Sequence, residues 1–144
     1  MHILFVCTGN TCRSPMAKAL MEKIGNEKGW SNLSCDSAGL FANNGAPMAR
    51  NAKEALKTVF SLPAPDHEAK SLTREMLERA DLVLTATDDH RLLLIQKFGF
   101  PEKVRAFPEA LPDPYGGFLE QYEESAREIY RQLNRLAEEG VLYD

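Results

Sequence analysis

Apolar and polar positions along the chain fall into two alternating patterns. Residues 3–6 (ILFV) form an unbroken apolar run, the mark of a strand buried on both faces. Thr8-Gly9-Asn10-Thr11 breaks the run as a turn. Ser14-Pro15 then opens a helix, with a hydroxyl to cap it and a proline suited to its first turn. Met16, Ala19, Leu20 and Ile24 recur at helical spacing up to Gly29. A second strand fits residues 33–37, closed by Gly39. Helices fit residues 48–60 and a short stretch following Ser71 and Thr73. Residues 81–86 (DLVLTA) repeat the buried-strand pattern, and residues 88–98 are helical. Residues 104–107 make a short strand, and residues 118–136 a long amphipathic helix.

The order β-α-β-α-α-β-α-β-α implies an α/β fold: a single domain with an open parallel sheet of about four strands and helices on both faces. The 144 residues show no repeat, no low-complexity tract and no linker that would divide them. Ligands of such open sheets sit at the carboxyl ends of the strands. The turn after the first strand is therefore the place to look for chemistry.

Composition narrows the classes. The net charge is -4, so there is no basic footprint for nucleic acid or an anionic membrane. No apolar stretch is long enough to span a bilayer, and the opening MHILFVC lacks the basic region and cleavage site of a signal peptide. The expected location is the cytoplasm, because three cysteines make no disulfide framework and suit a reducing compartment. His2, His67 and His90 do not fall at zinc-ligand spacing near Cys7 and Cys12, so neither a metal nor another cofactor is expected.

Residues 7–14 (CTGNTCRS) place a cysteine and an arginine six positions apart, between a buried strand and a helix. A short loop curled before a helix turns successive backbone N–H groups inward and makes a concave nest for an anion. Thr8, Gly9, Asn10, Thr11, Cys12 and Arg13 would line that nest, with Gly9 and Asn10 suited to positive φ. Arg13 adds a planar fork for two phosphate oxygens. Cys7, at the strand end, lies beneath, where the same donors stabilise a thiolate facing the phosphorus. The loop lacks the Gly-Lys-Ser/Thr ending of a nucleotide-triphosphate site. Asp113, in LPDPYGG after the last strand, is a candidate proton donor to the leaving group; a plain turn aspartate is the competing reading, and spacing alone does not bring it to Cys7.

CTGNTCRSPMA, the SAG of residues 37–39, the ADLVL of residues 80–84 and the DPYGG of residues 113–117 together resemble the low-molecular-weight protein tyrosine phosphatases, in order and over the whole chain. The resemblance implies a flavodoxin-like phosphatase fold and a phosphocysteine intermediate. It puts the nucleophile on Cys7, the phosphate-binding arginine on Arg13 and the general acid on Asp113. It also implies that Ser14 supports the thiolate and that Asn10, Ser37 and His67 brace the loop. Phosphorylated proteins are then the expected partners, and a monomer the expected state.

Thr11 stands where the tyrosine-specific majority carries Ile or Leu, and Thr87 and His90 stand where that majority tends to carry Asp and Asn. These departures resemble the protein arginine phosphatase branch. A threonine at the loop centre removes apolar bulk and offers a hydroxyl to a polar guanidino group. Tyr115 suits an aromatic ligand as well, so phosphotyrosine stays as the alternative substrate. Phe41 is either a wall of the cleft or core, and Cys35 is expected in the core. Cys12 is either a small loop side chain or the partner of Cys7 in a reversible disulfide. Thiol-dependent arsenate reduction would need a further cysteine pair after the third strand, which residues 85–90 lack. A non-enzymatic anion-binding module would have no use for a thiolate beneath Arg13.

Overall fold

The computed structural model describes all 144 residues. Four strands, β1 (His2–Cys7), β2 (Ser34–Gly39), β3 (Leu82–Thr85) and β4 (Val104–Ala106), form one parallel sheet in the order β2-β1-β3-β4. Five helices connect and follow them: α1 (Arg13–Lys28), α2 (Arg50–Phe60), α3 (Arg74–Arg79), α4 (Asp88–Phe98) and α5 (Leu119–Glu138). The element order is the expected one.

The two-residue period of β1 divides the interior in two. Ile3, Phe5 and Cys7 join a core with α1, α2 and α5, whereas Leu4 and Val6 join a second core with α3 and α4. Helix α5 serves the first core through Tyr122, Ala126, Ile129, Leu133 and Leu136, spaced three or four residues apart on one face. Because Cys7 belongs to the same strand face as Phe5, its thiol points toward α1.

The strand order makes the chain leave β1 toward β2 and return on the other side to β3. The connections diverge at the carboxyl ends of β1 and β3, the switch point where open α/β sheets bind ligands. The loop after β1 lies there beside the first turn of α4.

Several boundaries differ from expectation for physical reasons. Strand β2 runs on through Gly39, which pairs with Cys7 of β1. Helix α2 begins at Arg50, because Ala49 is held extended (φ -55°, ψ 138°) and Pro47 bridges to Glu68. Met48, expected in the helix, is buried in the core ahead of it. Ser14 does not cap α1: Cys12 occupies the N-cap position, with no side-chain cap bond, and the Ser14 hydroxyl is committed elsewhere.

Candidate active site

Cys7 ends β1 with only 3 % of its surface exposed, and its Sγ lies 2.9 Å from Ser14 Oγ. The polarity of that contact follows from Asn10. The backbone N–H of Lys70 must donate, and it donates to Asn10 Oδ1 at 3.0 Å. The amide orientation is thereby fixed, and Nδ2 donates to Ser14 Oγ at 2.8 Å and to Ser37 Oγ at 3.0 Å. With its oxygen accepting from Asn10, Ser14 is free to donate its proton to Cys7 Sγ.

Asn10 is fully buried and carries φ 58°. Gly9 was the other residue expected to take positive φ, and it does not; Asn10 alone makes the left-handed turn of the loop. The carbonyl of Asn10 accepts from His67 Nε2 at 2.6 Å, so His67 carries its proton on Nε2. Burial lowers the pKa of His67 below its ordinary 6.5, opposed by that carbonyl and reinforced by Lys18 and Lys70. The loop is thus braced from three directions by Ser37, His67 and the backbone of Lys70.

Gly39 is a second structural requirement that the sequence did not announce. A Cβ at this position would stand 2.7 Å from the carbonyl oxygen of Thr8 and 3.1 Å from the amide nitrogen of Asn10. The amides of Leu40 and Phe41 donate to the carbonyls of Cys7 and Thr8, stitching the end of β2 directly onto the loop. A glycine closing a strand is the one sequence signal that could have found it.

None of the backbone N–H groups from Thr8 to Arg13 finds an acceptor within the protein. Thr8 is exposed, but the other five residues are buried or half-buried, where backbone donors are mostly paired. Six unpaired amides in one curled loop above a thiol form a concave donor array of the kind that can accept an anion.

Arg13, 5 % exposed, points back across this loop. Its Nη1 donates to the carbonyl of Leu111 at 2.9 Å and its Nη2 to Thr8 Oγ1 at 3.4 Å. Asp113, half-exposed on the loop after β4, places Oδ2 3.6 Å from Arg13 Nη2 and accepts the amide of Tyr115 on Oδ1 at 3.1 Å. The tertiary structure therefore brings Asp113 to the mouth of the cleft beside Arg13, which spacing did not establish.

A cleft of about 330 Å³ joins these groups. Cys7, Thr8, Gly9, Thr11, Cys12, Arg13 and Asp113 line it, with Phe41 and Tyr115 as aromatic walls. Phe41 and Tyr115 are 67 % and 76 % exposed, so Phe41 is a wall of the cleft and not core. Thr11 faces the same cleft, and its carbonyl accepts the amide of Ala49 ahead of α2. Cys12 is buried, with Sγ 3.7 Å from both Thr11 Oγ1 and the Tyr122 hydroxyl, and burial raises its pKa above the ordinary thiol value. Cys35 is partly buried on β2 against the core, and its pKa is pushed up to about 12, chiefly by burial. A larger groove of about 640 Å³ lies behind the Asp113 loop against α5, and no cysteine lines it.

The model of the low molecular weight phosphotyrosine protein phosphatases matches residues 2–141. The chain belongs to this family. The phosphatase is similar, at 38 % identity over 96 % of both chains, to a protein-arginine-phosphatase of Bacillus subtilis. It is also similar, at 31 % identity over 94 % of its length and 96 % of the relative's, to a low molecular weight protein-tyrosine-phosphatase of Staphylococcus epidermidis. Among solved structures it superposes with TM-score 0.91 on the YwlE arginine phosphatase, in a cysteine-to-serine mutant form with a phosphorylated active-site serine. Identity there is 36 %, covering 96 % of the phosphatase and 95 % of the matched chain. A low molecular weight protein tyrosine phosphatase from T. tengcongensis superposes with TM-score 0.92 at 37 % identity, over 96 % and 99 % of the two chains.

Proposed function

We propose that this phosphatase hydrolyses phosphoarginine in proteins through a phosphocysteine formed on Cys7. The observation that carries the mechanism is the set of unpaired loop amides, which surround the buried Cys7 thiol together with Arg13. The phosphoryl oxygens take these N–H groups and the Arg13 fork, and phosphorus comes to rest over Sγ. The Cys7 thiolate, supported by the Ser14 hydroxyl, attacks phosphorus as the P–N bond breaks. Asp113 gives its proton to the departing guanidino nitrogen. Asp113, now a carboxylate, takes a proton from water, which attacks phosphorus and releases inorganic phosphate and the Cys7 thiolate.

Preference for phosphoarginine rests on Thr11 and on the relatives named protein-arginine-phosphatase at 38 % and 36 % identity. Thr11 lines the cleft, and a hydroxyl there suits a polar leaving group. A second reading, phosphotyrosine, is favoured by the exposed rings of Phe41 and Tyr115, which would also sandwich a phenol. The chain is read as a monomer in a reducing, cytoplasmic setting, where its three free cysteines persist. The deciding experiment compares turnover of phosphoarginine and phosphotyrosine peptides side by side, with Cys7→Ser as control. Faster phosphoarginine turnover and an inactive serine variant that still binds phosphate are expected. Equal or faster phosphotyrosine turnover overturns the substrate reading, and an active serine variant overturns the mechanism.

A further inference from the structure

At the switch point of the sheet, the loop after β1 and the first turn of α4 are joined by one imidazole. His90 places Nε2 2.8 Å from Thr8 Oγ1 and Nδ1 3.0 Å from Thr87 Oγ1. Thr87 is the N-cap residue of α4, and its Oγ1 accepts the backbone N–H of His90 at 3.2 Å. Thr8 Oγ1 in turn accepts from Arg13 Nη2 at 3.4 Å. A chain of contacts therefore runs from a helix end, through an imidazole and a hydroxyl, to the buried cation of the cleft.

The chemistry of these groups assigns the protons. The N-terminal end of α4 is the positive end of its dipole, which disfavours a proton on Nδ1 above it. Nδ1 is then an acceptor, Thr87 donates its hydroxyl proton to it, and Nε2–H donates to Thr8 Oγ1. Both lone pairs of the Thr8 oxygen are now occupied, one by Arg13 and one by His90. The Thr8 hydroxyl proton is left to point into the cleft that Thr8 lines with Cys7 and Arg13. The imidazole stays neutral in this setting. Burial first and the Arg13 guanidinium second lower its pKa below 6.5, against the opposing pull of Asp113 and Asp89.

We propose that His90 is a positioning residue for the phosphatase reaction, fixing the Thr8 hydroxyl as a donor to an oxygen of the bound phosphoryl group. This rests on the reading that the loop of residues 7–13 holds that group. In the opposite tautomer the Thr8 proton would be spent on His90 Nε2 and lost to the ligand. The hydroxyl of Thr8 would thus add one side-chain donor to the loop amides and Arg13, on the side of the cleft nearest β3.

The test is a double-mutant cycle on turnover of an activated aryl phosphate and on inhibition by inorganic phosphate. Thr8→Val is expected to lower kcat/KM and phosphate affinity by about ten-fold or more, the scale of a hydrogen bond to a charged group. His90→Ala is expected to lower both in the same direction. His90→Gln, which keeps an N–H within reach of Thr8, should recover most of the loss. Combined with Thr8→Val, His90→Ala should cost nothing further. In the wild-type protein, long-range ¹H–¹⁵N spectra of the imidazoles should show His90 protonated on Nε2. Full additivity of the two substitutions, no recovery with glutamine, or protonation on Nδ1 would each overturn the proposal. Phosphate affinity can be followed in the Cys7→Ser background as well, so failure of the nucleophile assignment remains distinguishable from failure of the Thr8–His90 coupling.

Discussion

Replacing Gly39 by alanine puts a methyl carbon 2.7 Å from the carbonyl oxygen of Thr8 and 3.1 Å from both the Asn10 amide nitrogen and Ala42 Cβ. Two of these three neighbours are backbone, so no side chain can swing away. Relief requires the loop of residues 7–13 to move from β2 by about half an ångström, judged from ordinary contact distances. The amides of Leu40 and Phe41, bonded to the carbonyls of Cys7 and Thr8, resist that movement. Overpacking of this kind costs about 1–3 kcal/mol. For a chain of this length the cost appears as a fall in Tm of roughly 3–10 °C. A misplacement of about 1 Å in an active site costs about a hundred-fold in rate, so half of it should lower kcat/KM by about ten-fold. Gly9→Ala is the internal control for stability, because its Cβ would meet nothing nearer than Thr11 Oγ1 at 3.8 Å and its φ is not positive. Its Tm should stay within about 2 °C of wild type. Thermal melts and steady-state kinetics on an aryl phosphate measure both quantities. A Gly39→Ala protein with wild-type Tm and kcat/KM would refute the argument that close backbone approach holds the loop in place.

Four further outcomes are expected. Asp113→Asn should slow turnover by about a hundred-fold, and by less with a leaving group that needs no proton; equal losses on both substrates would make Asp113 structural. Thr11→Ile should lower the ratio of phosphoarginine to phosphotyrosine turnover by about ten-fold or more, and an unchanged ratio would remove Thr11 from substrate choice. Mild peroxide should oxidise Cys7 to the sulfenic acid, whose sulfur the Cys12 thiol then attacks, forming a disulfide as the S–O bond breaks and water leaves. Mass spectrometry showing only higher oxides on Cys7 would count against Cys12 as its partner. Because burial holds the folded-state pKa of His67 below 6.5, the unfolded chain takes that proton first as the pH falls. The stability contributed by neutral His67 is therefore complete above about pH 6.5 and is lost as the pH drops through the folded value. Unfolding curves between pH 7 and 5 should show the decline, and His67→Gln, which can still donate to Asn10, should make it shallower.

The apolar run of β1, the period of α5 and the strand–helix alternation were sufficient to read a four-strand parallel sheet and to point at its first turn, because burial on both faces writes itself directly into sequence. The spacing of Cys7 and Arg13, with Asn10 between them, made the curled loop of residues 7–13 legible for a similar reason: such a loop needs a residue that tolerates φ 58°, and Asn10 supplies it. Composition narrowed the classes, since a net charge of -4 offers no basic footprint for nucleic acid. Other features were invisible until the chain was folded. Asp113 is a hundred residues from Arg13, and only the carboxyl ends of β1 and β4 lying on one edge of the sheet bring them within 3.6 Å. Ser14 reads as a helix cap, yet its hydroxyl turns to Cys7, because the period of β1 aims the thiol at α1 and Asn10 already supplies the serine oxygen with a donor. Gly39 and His90 acquire much of their meaning from neighbours distant in sequence: the Thr8 carbonyl that excludes a methyl group, and the Thr8 hydroxyl that also accepts from Arg13. Sequence records the local conformational needs of each residue, whereas proximity between segments that are far apart along the chain is decided by how the sheet is ordered.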